Sequence, residues 1–203
     1  VPLSARGEAE ARAAAEYVTQ RWNVTSVWSS PLVRAVYGAQ CVADRAGCSV
    51  SELEGLREIS RGTVWLRKNL DEIEQITPGG MDRFLADKSY RPPGGAESID
   101  GVQSRALAEL YDHVLAEPSS STSSNANEAA VVVSHLYVTR ALLSSAIPDV
   151  PIPDIDVPTA SISVIQYQGE NLFDQPSVTC RGIKPDLLPQ DAAAFLAAGE
   201  AES

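Results

Sequence analysis

An arginine three residues after a Ser-Pro pair and a histidine at the end of a valine run are the side chains in this sequence whose placement points to chemistry. The stretch Val27-Trp28-Ser29-Ser30-Pro31-Leu32-Val33-Arg34-Ala35 reads as a short β-prone run turning into a helix. Ser30 suits the N-cap and Pro31 the first helical position. Arg34 then lies in the first turn, and helical side chains lean towards the N-terminus. Its guanidinium is aimed back at the strand end, beside free backbone N–H groups, which is a favourable place for an anion. The second junction is Val131-Val132-Val133-Ser134-His135-Leu136. The continuous apolar run from Ala129 to Ser134 suits a strand buried on both faces, and it puts His135 at the carboxyl end of that strand. In open α/β sheets, ligands bind at such ends.

Each residue also has a plain structural reading. Arg34 fits an ordinary surface arginine, although a cation at a helix start opposes the helix dipole. His135 fits a satisfied core histidine. The other histidine, His113, sits within Tyr111-Asp112-His113-Val114 on a predicted helix, with no strand end near it in sequence, and is not expected to act. Two histidines and the scattered Cys41, Cys48 and Cys180 offer no metal-ligand spacing. Neither a metal nor a cofactor is expected.

The elements that must position these residues follow from periodicity. Ala11, Ala14, Val18 and Trp22 recur at helical spacing within 7–22, and Val33, Val36, Tyr37 and Cys41 mark a second helix. Residues 25–29 and 50–57 read as strands. Residues 66–90 read as a helical, surface-lying insertion broken at Pro78-Gly79-Gly80, followed by a turn-rich loop from Arg91 to Ser98. The whole of 60–98 is expected to form the insertion and lid. Ile99, Val102, Ala106, Leu110 and Val114 mark a third long helix, and 136–146 the helix after His135. The Ser- and Asn-rich stretch 118–128 reads as a flexible loop. Ile162 to Tyr167 and Ser177 to Cys180 are expected to pair across a turn at Gly169-Glu170-Asn171, and a short helix is expected near 192–198. Helices alternating with short strands predict one three-layer α/β/α domain over 1–203 with a mostly parallel sheet.

Composition limits the partners. The chain has 203 residues, 44% of them hydrophobic, and a formal net charge of −11. That balance argues against nucleic-acid binding, which needs a basic face. It leaves a phosphorylated substrate open, because a few local arginines outweigh a distant negative surface. No apolar run reaches membrane-spanning length. Three sparse cysteines suggest a reducing compartment and hence a cytoplasmic location. The Asn23-Val24-Thr25 sequon is read as chance. The chain opens at Val1 and its one methionine is Met81, so a natural initiator and any targeting signal are expected to lie upstream. Oligomeric state is not legible.

Four motifs in order resemble the histidine phosphatase, or phosphoglycerate-mutase-like, superfamily. They are Ser29-Ser30-Pro31-Leu32-Val33-Arg34-Ala35, Leu56-Arg57-Glu58 with Gly62, Pro93-Gly94-Gly95-Ala96-Glu97-Ser98 and Val133-Ser134-His135. Leu3-Ser4-Ala5-Arg6-Gly7 also resembles the opening of that family's first helix, so the likeness covers roughly 3–167. The resemblance implies covalent catalysis through phosphohistidine, with arginines and a second histidine holding the phosphoryl oxygens and a carboxylic acid protonating the leaving group. By the match, Arg34 binds phosphate, Glu58 is the proton donor and His135 the second histidine. The implied reaction is hydrolysis of a small phosphate monoester. The alternatives are a mutase-like phosphoryl transferase and an inactive phosphate- or partner-binding module.

The sequence departs from the pattern in three places. The Arg-His-Gly motif of the nucleophile is absent, and the resemblance implies that it lies on a strand before Val1. Residues 1–203 alone are therefore expected to be inactive. Leu136 replaces a glycine after the second histidine, which makes the loop bulkier. Ala96 is an insertion that is expected to displace the loop carrying Glu97. Arg61, Arg67, Lys68 and Arg91 are candidates for a substrate's second anionic group, each with a solvated-surface reading beside it.

Overall fold

Small side chains set how closely the first two helices approach. The computed structural model describes residues 2–115, 127–167 and 176–200. Helix α1, Ala5–Arg21, starts where the Ser4 hydroxyl accepts from the Gly7 amide at 3.2 Å. Helix α2, Val33–Ala46, stops at Gly47, whose φ of 73° closes a left-handed cap. Ala15 of α1 and Ala39 and Ala43 of α2 are fully buried between them, in a cluster with Val18, Val24, Val27 and Val42.

Beneath these helices lies a parallel sheet. Its central strand is β1, Asn23–Ser29, flanked by β2, Val50–Glu52, and β3, Glu128–Val133. Strand alternation splits β3 between two cores. Val131 and Val133 pack towards α1 and α2, whereas Val132 packs on the far side with Trp28. That far core is built from α6, Ile99–Glu109, and α7, Leu136–Ala146, with Val102, Ala106, Val138 and Ala141 fully buried. The result is the expected α/β/α layering. A separate antiparallel pair, β4 over Ile162–Gln166 and β5 over Ser177–Ile183, forms a second sheet.

The second sheet is tied to the first body by a buried carboxylate. Glu10 of α1 is 9% exposed and accepts from Lys184 Nζ at 3.0 Å, Thr159 Oγ1 at 3.2 Å and Arg6 Nε at 3.2 Å. Helix α8, Pro189–Glu200, docks through a two-point pairing of Arg12 with Asp191.

The segment expected to form the insertion contains three short helices, α3 over Gly62–Trp65, α4 over Leu70–Ile76 and α5 over Gly80–Ala86. It does not merely lie on the surface. Trp65, Ile73 and Phe84 are buried and join the core of α6 and α7.

Several expectations are corrected. Leu32, not Ser30, is the N-cap of α2, and it makes no side-chain capping bond. The predicted strand 50–57 ends at Glu52 and gives way to a 3-10 turn over Glu54–Leu56. The run in β3 is half-buried, not enclosed, because the strand has a partner on one edge alone among the described residues. The helix ending at Val114 changes to a π-turn over Leu110–Leu115. Most of the 118–128 loop and the 169–171 turn fall outside the described residues.

Candidate active site

Strand register brings the two junctions together. Ser29 pairs with Val133 on one side and with Glu52 on the other, so the three strands end at one level. Just beyond it, the Ser30 amide donates to the Val133 carbonyl at 2.9 Å. Ser30 Oγ then lies 2.8 Å from His135 Nε2, with Ser30 fully buried and His135 7% exposed. The serine predicted to cap a helix instead buttresses the imidazole. Ser30 Oγ also accepts from the Leu32 amide at 3.3 Å. The donor in the Ser30–His135 bond depends on the imidazole tautomer, and in the Nδ1-protonated form Nε2 accepts the hydroxyl hydrogen. Burial pushes the imidazole down to about 4, and the charges of Arg34, Arg105 and Arg57 act in the same direction. At neutral pH His135 is an uncharged donor.

Glu58 follows the 3-10 turn. Its Oε1 accepts from the Ile59 amide at 2.9 Å and from the Tyr137 amide at 3.3 Å. Tyr137 is in the first turn of α7, whose N-cap His135 supplies no side-chain bond, so the Glu58 carboxylate takes up one of the open donors there. Burial raises the Glu58 carboxyl above its ordinary range, against the two amides and the charges of Arg34 and Arg61. Burial prevails because the side chain lines a groove with largely apolar walls.

Sequence reasoning missed how firmly the segment carrying Glu58 is held. The Gly55 amide donates to Glu109 Oε1 at 2.8 Å, and Arg105 donates to the Gly55 carbonyl. Ser134 Oγ donates to the Leu56 carbonyl at 2.8 Å. Glu97 Oε2 accepts from the Ser60 amide at 2.8 Å, and both Glu97 oxygens accept from Arg105 at 2.8 and 3.1 Å. The loop with the extra Ala96 is therefore docked against this segment, with Ala96 itself 4% exposed. The Pro93-to-Ser98 motif held the signal for Glu97; nothing in the sequence singled out Arg105 or Glu109.

Arg34 is half-buried in the first turn of α2 and makes no hydrogen bond or ion pair with a described residue. Arg34, Glu58, His135 and the partly exposed Leu136 line one groove of about 580 Å³. The arrangement offers an unengaged guanidinium, a neutral imidazole donor and a carboxyl of raised pKa, which suits holding and protonating a phosphate ester. His113 is elsewhere, 3.4 Å from Glu109 and with its ring tilted against that of Trp28. Of the other cations, Arg61 acts on Glu58, Lys68 pairs with Glu72 at 3.0 Å and Arg91 acts on Glu97. Arg67 stands on left-handed backbone with a φ of 60°. No group of metal-ligating side chains is found among the described residues.

A family model described as the histidine phosphatase superfamily (branch 1) matches residues 1–173. No curated protein matches the sequence. Among solved structures, one described as mycobacterial hydrolase 2 superposes with a TM-score of 0.84 at 24% identity, covering 98% of this chain and 86% of that one. A mycobacterial glucosyl-3-phosphoglycerate phosphatase with inorganic phosphate gives 0.78 at 24% identity, over 90% and 88%. A Bacillus stearothermophilus protein, YhfR, gives 0.72 at 26% identity, over 89% and 84%.

Proposed function

The chain belongs to the histidine phosphatase superfamily, and on that premise we propose that it serves a phosphomonoester hydrolase that works through a phosphohistidine intermediate. The observation that carries the reading is the convergence of Arg34, Glu58 and His135 on one groove. Arg34 binds two phosphoryl oxygens, and His135 donates from Nδ1 to a third. A histidine nitrogen attacks phosphorus as the ester P–O bond breaks, and Glu58 gives its proton to the departing oxygen. Water then attacks phosphorus, the P–N bond breaks and Glu58 takes a proton back. The substrate is a small phosphorylated molecule, as the glucosyl-3-phosphoglycerate neighbour suggests by its description. The three free cysteines accord with a cytoplasmic, reducing location, and no described helix is long and apolar enough to cross a membrane.

The nucleophile is neither of the two histidines in the sequence. His135 is engaged with Ser30, and His113 faces Glu109 away from the groove. We place it upstream of Val1. That same census keeps a second reading in play, a module that binds phosphate without turning it over.

The test is hydrolysis of an aryl phosphate by residues 1–203 beside the chain expressed with its natural upstream coding sequence. The longer chain is expected to turn over and to trap labelled phosphate on a histidine other than His135, while the shorter is expected to be inactive. Stable label on His135 would overturn the assignment, and an inactive longer chain that still binds phosphate would establish the binding module.

A further inference from the structure

Glu58 sits on an arc of chain from Gly55 to Ser60, and both ends of that arc are held by the same side chain. Arg105, on α6, donates from Nη1 to the Gly55 carbonyl. On its other side, Nε and Nη2 donate to Glu97 Oε1 and Oε2 at 2.8 and 3.1 Å. Glu97 closes a two-way pairing with Ser60. Its amide donates to the Ser60 carbonyl at 2.9 Å, and its Oε2 accepts from the Ser60 amide at 2.8 Å. One guanidinium thus spans the arc from its first residue to its last.

We propose that Arg105 is the positioning residue for Glu58: by bridging Gly55 and Glu97 it fixes the arc, so that the Glu58 carboxyl stays seated on the Ile59 and Tyr137 amides at the groove. The proposal rests on the acid role given to Glu58 above. The arc needs such a brace because it has little structure of its own. After the 3-10 turn over Glu54–Leu56, the residues up to Arg61 belong to no helix or strand. Backbone without a ladder of its own opens easily unless side chains hold it. Arginine suits the task, since its planar fork aims donors at two partners at once, where lysine presents a single point charge. The acceptor is charged as well. Burial alone would raise the Glu97 carboxyl, yet the Arg105 bonds and the Ser60 amide hold it below its ordinary value.

The near end of the arc gives an independent handle on the same contact. The Gly55 amide donates to Glu109 Oε1 at 2.8 Å, and α6 comes so close that a Cβ on Gly55 would meet Glu109 Cγ at 2.2 Å and the Arg105 carbonyl oxygen at 3.0 Å. A side chain at position 55 therefore pushes the arc off α6 without removing any polar group. Position can also be told from charge. Burial raises the Glu58 carboxyl, and the cations that act against it are Arg34 and Arg61. Arg105 reaches Glu58 through the backbone it holds.

The experiment compares Arg105→Met, Arg105→Lys and Gly55→Ala in the longer chain, with Glu58→Gln as the reference, on an alkyl phosphate and on an activated aryl phosphate. Each of the three is expected to lower kcat for the alkyl ester about a hundredfold, the cost of misplacing a reacting group by about 1 Å, with KM and the aryl rate little changed. Arg105→Met combined with Glu58→Gln should lose no more than Glu58→Gln alone. Gly55→Ala, which keeps every polar partner, carries the comparison if Arg105→Met does not fold. Where Glu58→Gln shows the leaving-group selectivity, equal losses on both esters in the Arg105 variants, full alkyl activity in Arg105→Lys, or losses that add in the double variant overturn the proposal. A second measurement needs no turnover. In residues 1–203 with isotope-labelled glutamate, followed by carboxyl NMR, Arg105→Met is expected to bring the Glu58 carboxyl down towards its ordinary range, because a carboxyl released from its seat returns to water. Loss of a nearby cation alone would move it up, so a rise or no change overturns the positioning role. Equal losses on the two esters in Glu58→Gln itself would remove the acid reading, and the titration then decides the positioning role by itself.

Discussion

At the scale of single residues, the site depends on two side chains kept in unusual states. In the proposed acid role Glu58 must hold a proton at working pH, and burial pushes its carboxyl in that direction. Removing a positioned acid costs on the order of a hundred- to ten-thousandfold in rate. In the longer, active chain, Glu58→Gln is expected to show that loss for alkyl phosphates and little loss for an activated aryl phosphate, whose leaving group needs no proton. Equal losses on both, measured as kcat/KM, would remove the acid role. Arg34 has no hydrogen-bond or ion-pair partner among the described residues, so its fork is free for a bidentate anion. Arg34→Lys should lose activity nearly as completely as Arg34→Ala, because an ammonium offers a point charge where two parallel bonds are needed; retention of most activity by the lysine variant would exclude the bidentate role. Both residues were legible in the sequence, Arg34 from its junction and Glu58 from the resemblance alone. The Ser30–His135 contact was not. Ser-Pro at a helix start favours the cap reading, and only the pairing of two distant strands shows the hydroxyl a stronger partner.

At the scale of elements, the loop over residues 93–98 docks on the segment that follows Glu58, through Glu97 on Ser60 and Gly94 on Thr63. Gly62 has a φ of 64°, and a Cβ there would meet the Ala96 amide nitrogen and the Gly94 carbonyl oxygen at 2.7 Å each. Gly62→Ala therefore combines left-handed strain with a backbone clash, together costing on the order of 1–3 kcal/mol. Exchange of the Thr63 and Glu97 amides, which bond to Gly94 and Ser60, is expected to accelerate at least tenfold. Unchanged exchange would show that the two loops move independently. Helices were the most legible elements, since α7 begins and ends where periodicity placed it. The strand predicted over 50–57 failed because its second half is held by Arg105 and Glu109 on α6, contacts that periodicity does not encode. The apolar run of β3 correctly signalled a strand, but a run of valines reports what a strand can bury and not how many neighbours it has.

At the scale of the whole molecule, one carboxylate joins two sheets. Burial alone would raise the Glu10 carboxyl, yet bonds from Lys184 and Arg6 hold it below its ordinary value. A depressed carboxyl contributes stability above its ordinary pKa that is lost as pH falls through the folded value. Glu10→Ala should destabilise by about 1–3 kcal/mol, lowering Tm by about 2–4 °C per kcal/mol in a chain of this size. The deficit should be largest near neutral pH and should shrink in acid. A deficit that is constant down to pH 3 would show that Glu10 acts by packing and not by charge.

The pairing of β1 with β3 has a further consequence, in time rather than in space. Ser30 and His135 are 105 residues apart in sequence. Contacts of such separation carry the entropy of a long closed loop, and they form after local helices and turns are in place. The candidate pocket is therefore expected among the last features to appear as the chain folds. A phosphate ester that bound only the finished pocket would add nothing to the early steps, yet it would slow unfolding by holding together two segments distant in sequence.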